Sequence, residues 1–128
     1  MRILLDTQIA LWVWTDADQV PANLRSAITD ANNEVCFSQV STWEIQIKYG
    51  LGKLLLPERP EQFLPTAIRR SGFNYLPLED SAIFFLYRLP AHHRDPFDRL
   101  LIAQSITGNY HLATTDQQIY KYSALIVP

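Results

Sequence analysis

Short apolar runs alternate with longer stretches of helical spacing along this chain. RILL, Arg2 to Leu5, is interrupted by Asp6 and suits a buried strand. TQIALWVWT follows with Ile9, Leu11, Trp12 and Val13 at helical positions. VPANLRSAITDANN carries Pro21 near a helix start, apolar Leu24 and Ile28, and an asparagine pair at its end. EVCFS, Glu34 to Ser38, reads as a second strand. STWEIQIKYGLGKL is helical, with Gly50 and Gly52 as stop signals. In PEQFLPTAIRR, a helix is expected in which Pro65 disturbs regularity. FNYLPL is a third strand, and EDSAIFFLYRL a helix that ends before Pro90. DPFDRLLIAQSITG is the next helix, ending at Gly108. YHLATT is a fourth strand, Gln117 to Tyr120 a short helical turn, and ALIVP a last strand.

The strands are short and apolar without polar alternation, and helices fall between them. That pattern predicts a parallel sheet covered on both faces, an α/β fold. In such sheets ligands bind at the carboxyl ends of strands, near a topological switch point. The 128 residues suit one domain, 1–128, with a core of its own.

Composition narrows the function. Hydrophobic residues make up 48% and charged residues 19%, the balance of a globular chain. No apolar run approaches the ~20 residues of a membrane span, and MRILLD is too short for a signal-peptide core. The single cysteine, Cys36, excludes an internal disulfide and fits a reducing cytoplasm as small core filler. The formal charge is −2, whereas a protein that binds nucleic acid through basic residues alone is usually more basic. Either the partner is not nucleic acid, or something else, such as a divalent cation, brings positive charge.

Five acids stand at places where the predicted elements meet. Asp6 ends the first strand, Glu44 lies early in the helix after the second, and Asp116 follows the fourth. Asp95 and Asp98 open the helix before the fourth strand and join the same sheet edge if that helix starts there. Each has a purely structural explanation. Asp6 can cap the first helix. STWE has the form of a capping box with Ser41 as cap, and Glu44 can also pair with Lys48. DPFD places Asp95 at the cap, Pro96 first in the helix and Asp98 two residues later. Asp116 can make an Asx turn.

Taken together, the acids ask for more than caps. Two carboxylates at ~4 Å repel by roughly 4 kcal/mol at an effective dielectric near 20, a cost that a cation between them removes. Hard oxygen donors suit Mg2+ or Mn2+ rather than zinc. Such ions suit phosphodiester hydrolysis, activating water and stabilising a leaving oxygen. His92, His93, Arg94 and Arg99 are then candidate contacts to substrate phosphates, with solvated surface charge as the plainer explanation.

The stretches LLDTQIALWVW, SQVSTWEIQIKYGLGKL, HRDPFDRLLIAQ and LATTDQQIYKY, in that order, resemble the successive motifs of PIN-domain ribonucleases. The nearest resemblance is to the VapC-type toxins of bacterial type II toxin–antitoxin pairs. It implies a three-layer αβα sandwich with a central parallel sheet, often dimeric. It also implies an Mg2+- or Mn2+-dependent endoribonuclease that hydrolyses RNA and is inhibited by a cognate antitoxin protein. By position, the acidic site falls on Asp6, Glu44, Asp98 and Asp116, with Asp6, Asp98 and Asp116 as metal ligands. The resemblance implies that Asp95 is an added acid, serving as cap and as outer support for the ligands. Thr7 and Thr114 match small hydroxyl positions that orient ligands or water, and Arg99 is a supporting residue. Gln8 stands where many relatives have histidine, which argues against a titrating imidazole there.

Three other readings compete. A phospho-acceptor receiver domain also places acids at strand ends around Mg2+, but its lysine would be expected near the end of the penultimate strand, and Lys121 falls too late. A catalytically dead PIN fold used for protein binding has no reason to keep mutually repelling carboxylates. A PIN nuclease of RNA maturation is not separable from a toxin by sequence. Of the three tryptophans, Trp12 and Trp14 are candidates for an interface, with core packing preferred.

Overall fold

The computed structural model describes residues 1–122 and 124–128. Five parallel strands form one sheet in the order β3-β2-β1-β4-β5. They are β1 (Arg2–Leu5), β2 (Glu34–Ser38), β3 (Asn74–Leu76), β4 (His111–Ala113) and β5 (Leu125–Ile126). Among the described residues six α-helices cover them: α1 (Thr7–Thr15), α2 (Ala22–Thr29), α3 (Gln39–Gly50), α4 (Pro60–Ser71), α5 (Asp80–Phe85) and α6 (Pro96–Gly108). This is the three-layer αβα arrangement expected from the sequence. Among the described residues no helix is long and apolar enough to cross a membrane.

The lack of polar alternation has a direct cause. Ile3 and Leu5 of β1, with Val35 and Phe37 of β2, pack into one core beneath α1, α2 and α4. Leu4 and Cys36, between them in sequence, enter the opposite core against Leu100 to Ala103 of α6. Both faces of the central strands are buried, so apolar residues run without a break through residues 3–5 and 35–37. Trp14 belongs to the first core. Its ring packs against Phe37 at 5.2 Å, and its indole N–H donates to Ser71 Oγ at 2.8 Å. Trp12 is partly buried against the same core, and Trp43 is the tryptophan left exposed.

Three local expectations are corrected. The helix after β2 begins at Gln39, not near Ser41, because Ser38 is its cap: the Ser38 hydroxyl accepts the Val40 N–H at 3.0 Å. Strand therefore passes into helix without a loop, and the STWE capping box does not form. Ser41 instead lies buried inside α3. The helix predicted over EDSAIFFLYRL is regular only over α5 and then tightens into a 3-10 turn, Leu86–Arg88. The strand predicted over FNYLPL keeps only three residues. The DPFD start holds: Asp95 Oδ1 accepts the N–H groups of Phe97 at 2.8 Å and Asp98 at 3.3 Å.

The site depends on how these elements are ordered. β1 has β2 on one side and β4 on the other, so the strand order reverses at β1. The chain enters β4 from the carboxyl end of α6, so α6 runs against the strands and points its N-terminus at their carboxyl edge.

Candidate functional site

At the switch point the strand register fixes the first pair. Leu5 of β1 lies opposite Ala113 of β4, and the Asp6 N–H donates to the Ala113 carbonyl at 3.0 Å. Asp6 and Thr114 therefore leave the sheet side by side, and Thr114 Oγ1 donates to Asp6 Oδ2 at 2.7 Å. Both residues are buried. Thr7, next along, shares a 2.7 Å hydrogen bond with Ser41 Oγ, tying α1 to α3.

Glu44 reaches the same place from α3. Its side chain is 5% exposed, and Oε2 accepts from Lys48 Nζ at 2.5 Å. Oε1 is buried and has no hydrogen-bond partner among the described residues. The pair with Lys48 expected from the i, i+4 spacing thus exists, yet half of the carboxylate is left open. A buried acceptor with no partner costs about 1–3 kcal/mol, so a cation has a ready place there.

Asp95 and Asp98 arrive on the N-terminus of α6, and Asp116 on the loop after β4. Asp6, Glu44, Asp95, Asp98 and Asp116 line one cleft of about 260 Å³, shared with Thr7, Gln8, Leu11, Lys48 and Thr115. All five acids singled out in the sequence thus face one space. A larger groove of about 730 Å³ lies between α3 and α4 and holds the exposed Trp43 and Tyr75; its lining is mainly apolar and has no acid pair.

The crowding shows in the acidities. Burial, then the charges of Asp6, Asp95 and Glu44, push Asp98 up to about 7, against an opposing pull from His93. Burial likewise raises the Asp6 pKa; the Thr114 hydrogen bond opposes it, and Glu44 and Asp116 add to it. Partial burial works against the Lys48 ammonium, but its hydrogen bond and charge contact with Glu44 prevail and raise its pKa.

Several basic residues differ from expectation. Arg99 is not available as a phosphate contact. Its Nη1 donates to the carbonyls of Pro90 at 3.1 Å and His93 at 3.4 Å, and its Nη2 to those of Leu86 at 3.2 Å and Leu89 at 3.5 Å. It fastens the 86–93 segment to α6. His92 stacks edge-on against Tyr122 at 5.2 Å, and Arg94 is exposed without lining the cleft. The cation among the cleft-lining residues is Lys48, which the sequence offered only as an ion-pair partner.

His93 is the residue whose place the sequence did not disclose. Its Nε2 lies 2.8 Å from Asp116 Oδ2 and 3.0 Å from Asp98 Oδ2. One edge of the imidazole thus bridges two of the acids. Two adjacent histidines precede DPFD, and no local pattern tells which of them turns inward.

The profile of the PIN domain family matches residues 3–125. The chain belongs to the PIN domain family. A segment of 55 residues is 38% identical to Ribonuclease VapC16 of Mycobacterium tuberculosis (strain ATCC 25618 / H37Rv), covering 43% of this chain. The match spans only 39% of that relative's length. Among solved structures, VapBC2 from Rickettsia felis bound to a DNA fragment from their promoter is similar at TM-score 0.72 and 19% identity. That likeness covers 100% of this chain and 98% of the other. FitAcB from Neisseria gonorrhoeae is similar at TM-score 0.65 and 17% identity, covering 98% and 96%. At these identities the likeness establishes the fold. In this PIN chain the acids cluster at the carboxyl edge of the sheet beside β1, and the receiver-domain reading falls away.

Proposed function

We propose that this PIN-domain chain is a divalent-metal-dependent endoribonuclease and the toxin of a type II toxin–antitoxin pair. The observation that carries the reading is the set of carboxylates of Asp6, Glu44, Asp98 and Asp116 around one cleft. Within it stands a buried Glu44 oxygen that no group among the described residues satisfies. Burial and the repulsion of the neighbouring carboxylates together raise the Asp98 pKa to about 7, and a hard cation relieves that repulsion.

Asp6, Asp98 and Asp116 are the candidate ligands, and Glu44 Oε1 adds a fourth oxygen. Mg2+ or Mn2+ fits this all-oxygen donor set. A cation bound there lowers the pKa of an attacking water and offsets the charge that develops at the phosphate. The chain's own residues do the rest. Thr114 fixes the Asp6 carboxylate, Asp95 caps α6 and so aims Asp98, and the Thr7–Ser41 bond holds α1 against α3 beside the cleft. Lys48, half exposed at the cleft and paired with Glu44, keeps further N–H donors with which to meet a backbone phosphate.

The resemblance to VapC-type toxins supports an antitoxin partner and a homodimer. A partner arginine is the group best suited to enter the acidic cleft, because its planar fork pairs with carboxylates two at a time.

RNA cleavage by the purified chain tests the reading. Cleavage is expected with Mn2+ or Mg2+ and is expected to stop with EDTA. Cleavage that persists in EDTA and survives loss of Asp98 overturns the metal assignment. Failure of the adjacent gene's folded product to bind the chain counts against the toxin assignment.

A further inference from the structure

His93 sits where a metal ligand would be sought. Its Nε2 and one oxygen each of Asp98 and Asp116 lie within 4.8 Å of one another. Its other nitrogen argues otherwise. Nδ1 accepts a hydrogen bond from the backbone N–H of Asp95 at 3.1 Å. An acceptor nitrogen carries no proton, so the ring proton is on Nε2, facing the two carboxylates. A ligating histidine shows the reverse pattern: its free nitrogen is a lone-pair donor to the metal, and its other N–H donates to an acceptor. Here the other nitrogen faces a donor. Turning the ring's tautomer over would set Nδ1–H against the Asp95 N–H.

The backbone that carries the ring is pinned at both its N–H and its carbonyl. The His93 N–H donates to Tyr122 Oη at 2.8 Å, and Tyr122 Oη donates to the Pro90 carbonyl at 2.7 Å. Arg99 holds the His93 carbonyl. The side chain is 13% exposed. Asp95 thus serves twice, with its carboxylate capping α6 and its N–H selecting the tautomer of His93.

We propose that His93 is a positioning residue rather than a metal ligand: its Nε2–H is hydrogen-bonded to Asp116 and, 3.0 Å from Asp98, clamps the two carboxylates toward one another. The clamp presents two carboxylates from different elements, a helix start and a loop after β4, as one preformed pair. The inference rests on the metal-dependent reading of this cleft, and it assigns a role to a residue outside the acidic set.

The test uses the whole chain, His93→Gln, His93→Ala and uniformly 15N-labelled parent. Glutamine carries an N–H donor near the position of Nε2 but replaces the imidazole nitrogen. Mn2+ affinity, measured by calorimetry, is expected to stay within about threefold of the parent in His93→Gln and to weaken about 10- to 100-fold in His93→Ala. Two-bond 15N–1H correlation of the imidazoles is expected to show His93 protonated on Nε2 both without metal and at saturating Mg2+. Equal weakening in both variants, an unchanged His93→Ala, or a shift of the proton to Nδ1 on Mg2+ addition each overturns the clamp. A parent that binds no Mn2+ is a distinct result: it overturns the metal-dependent reading, and the clamp with it.

Discussion

Thr114 Oγ1 and Asp6 Oδ2 lie 2.7 Å apart although 108 residues separate them. Parallel pairing of Leu5 with Ala113 brings them together, so a sheet register sets the geometry of a buried acid. Removing the hydroxyl strands that acid. Thr114→Val is expected to lower stability by about 1–3 kcal/mol at neutral pH, while Thr114→Ser costs far less. Urea unfolding of the metal-free protein checks this. Equal losses in both variants would mean that the methyl packing matters and the hydrogen bond does not.

Asp98 separates helix-start charge from site chemistry. As a charge near the helix dipole alone, Asp98→Asn would cost about 0.3–1 kcal/mol and leave activity intact. As a ligand among carboxylates, it is expected to reduce RNA cleavage by at least about 100-fold. Metal-free stability is then expected to hold or rise, because one repelling charge has gone. The stabilisation that Mn2+ gives the parent is expected to shrink, since that gain follows RT ln(1 + [L]/Kd). Melting curves with and without Mn2+, beside a cleavage assay, read all three.

The raised Asp98 acidity sets a pH dependence. Its folded pKa of about 7 lies above the ordinary 3.8. The stability contributed by such a group is fully present below the ordinary value and is lost as pH rises through 7. Metal-free protein is therefore expected to gain stability from this group as pH falls from 8 toward 5, and Asp98→Asn to flatten that slope. A cation that needs the carboxylate ionised competes with the proton, so Mn2+ affinity is expected to fall by about tenfold per pH unit below 7. Parallel slopes for the parent and Asp98→Asn in metal-free melts would remove Asp98 as the cause.

Arg99 acts on the site through the loop that carries His93. Its fork reaches four carbonyls, and lysine, with a single ammonium, cannot span them. Arg99→Lys is expected to lower stability by about 1–3 kcal/mol by urea unfolding, because the part-buried carbonyls of Leu86, Leu89 and His93 lose a charged donor. Cleavage is expected to fall less than in Asp98→Asn, since no cleft-lining group is removed. A loss of cleavage as large as that of Asp98→Asn, with stability unchanged, would return Arg99 to substrate contact.

Much of this protein was legible in the sequence because it follows from local physics. Apolar runs without alternation meant strands buried on both faces, and Ile3, Leu4 and Leu5 fill both cores. The DPFD signature meant a capped helix start, and Asp95 caps it through neighbouring N–H groups. Right-handed alternation of strand and helix brings the ends of β1, β2 and β4 to one edge, so Asp6, Glu44 and Asp116 were expected there together. What the sequence left open turns on contacts between distant segments. Ser38 and Ser41 have the same chemistry, and only the point where strand meets helix decided that the first caps α3 and the second bonds Thr7. His92 and His93 are adjacent and identical. The turn of one backbone segment, held by Arg99 and Tyr122, sends His93 to the acids and leaves His92 against Tyr122. Hydrogen bonds reach about 3 Å, so a partner 23 to 108 residues away is chosen by packing and register, which local pattern does not encode.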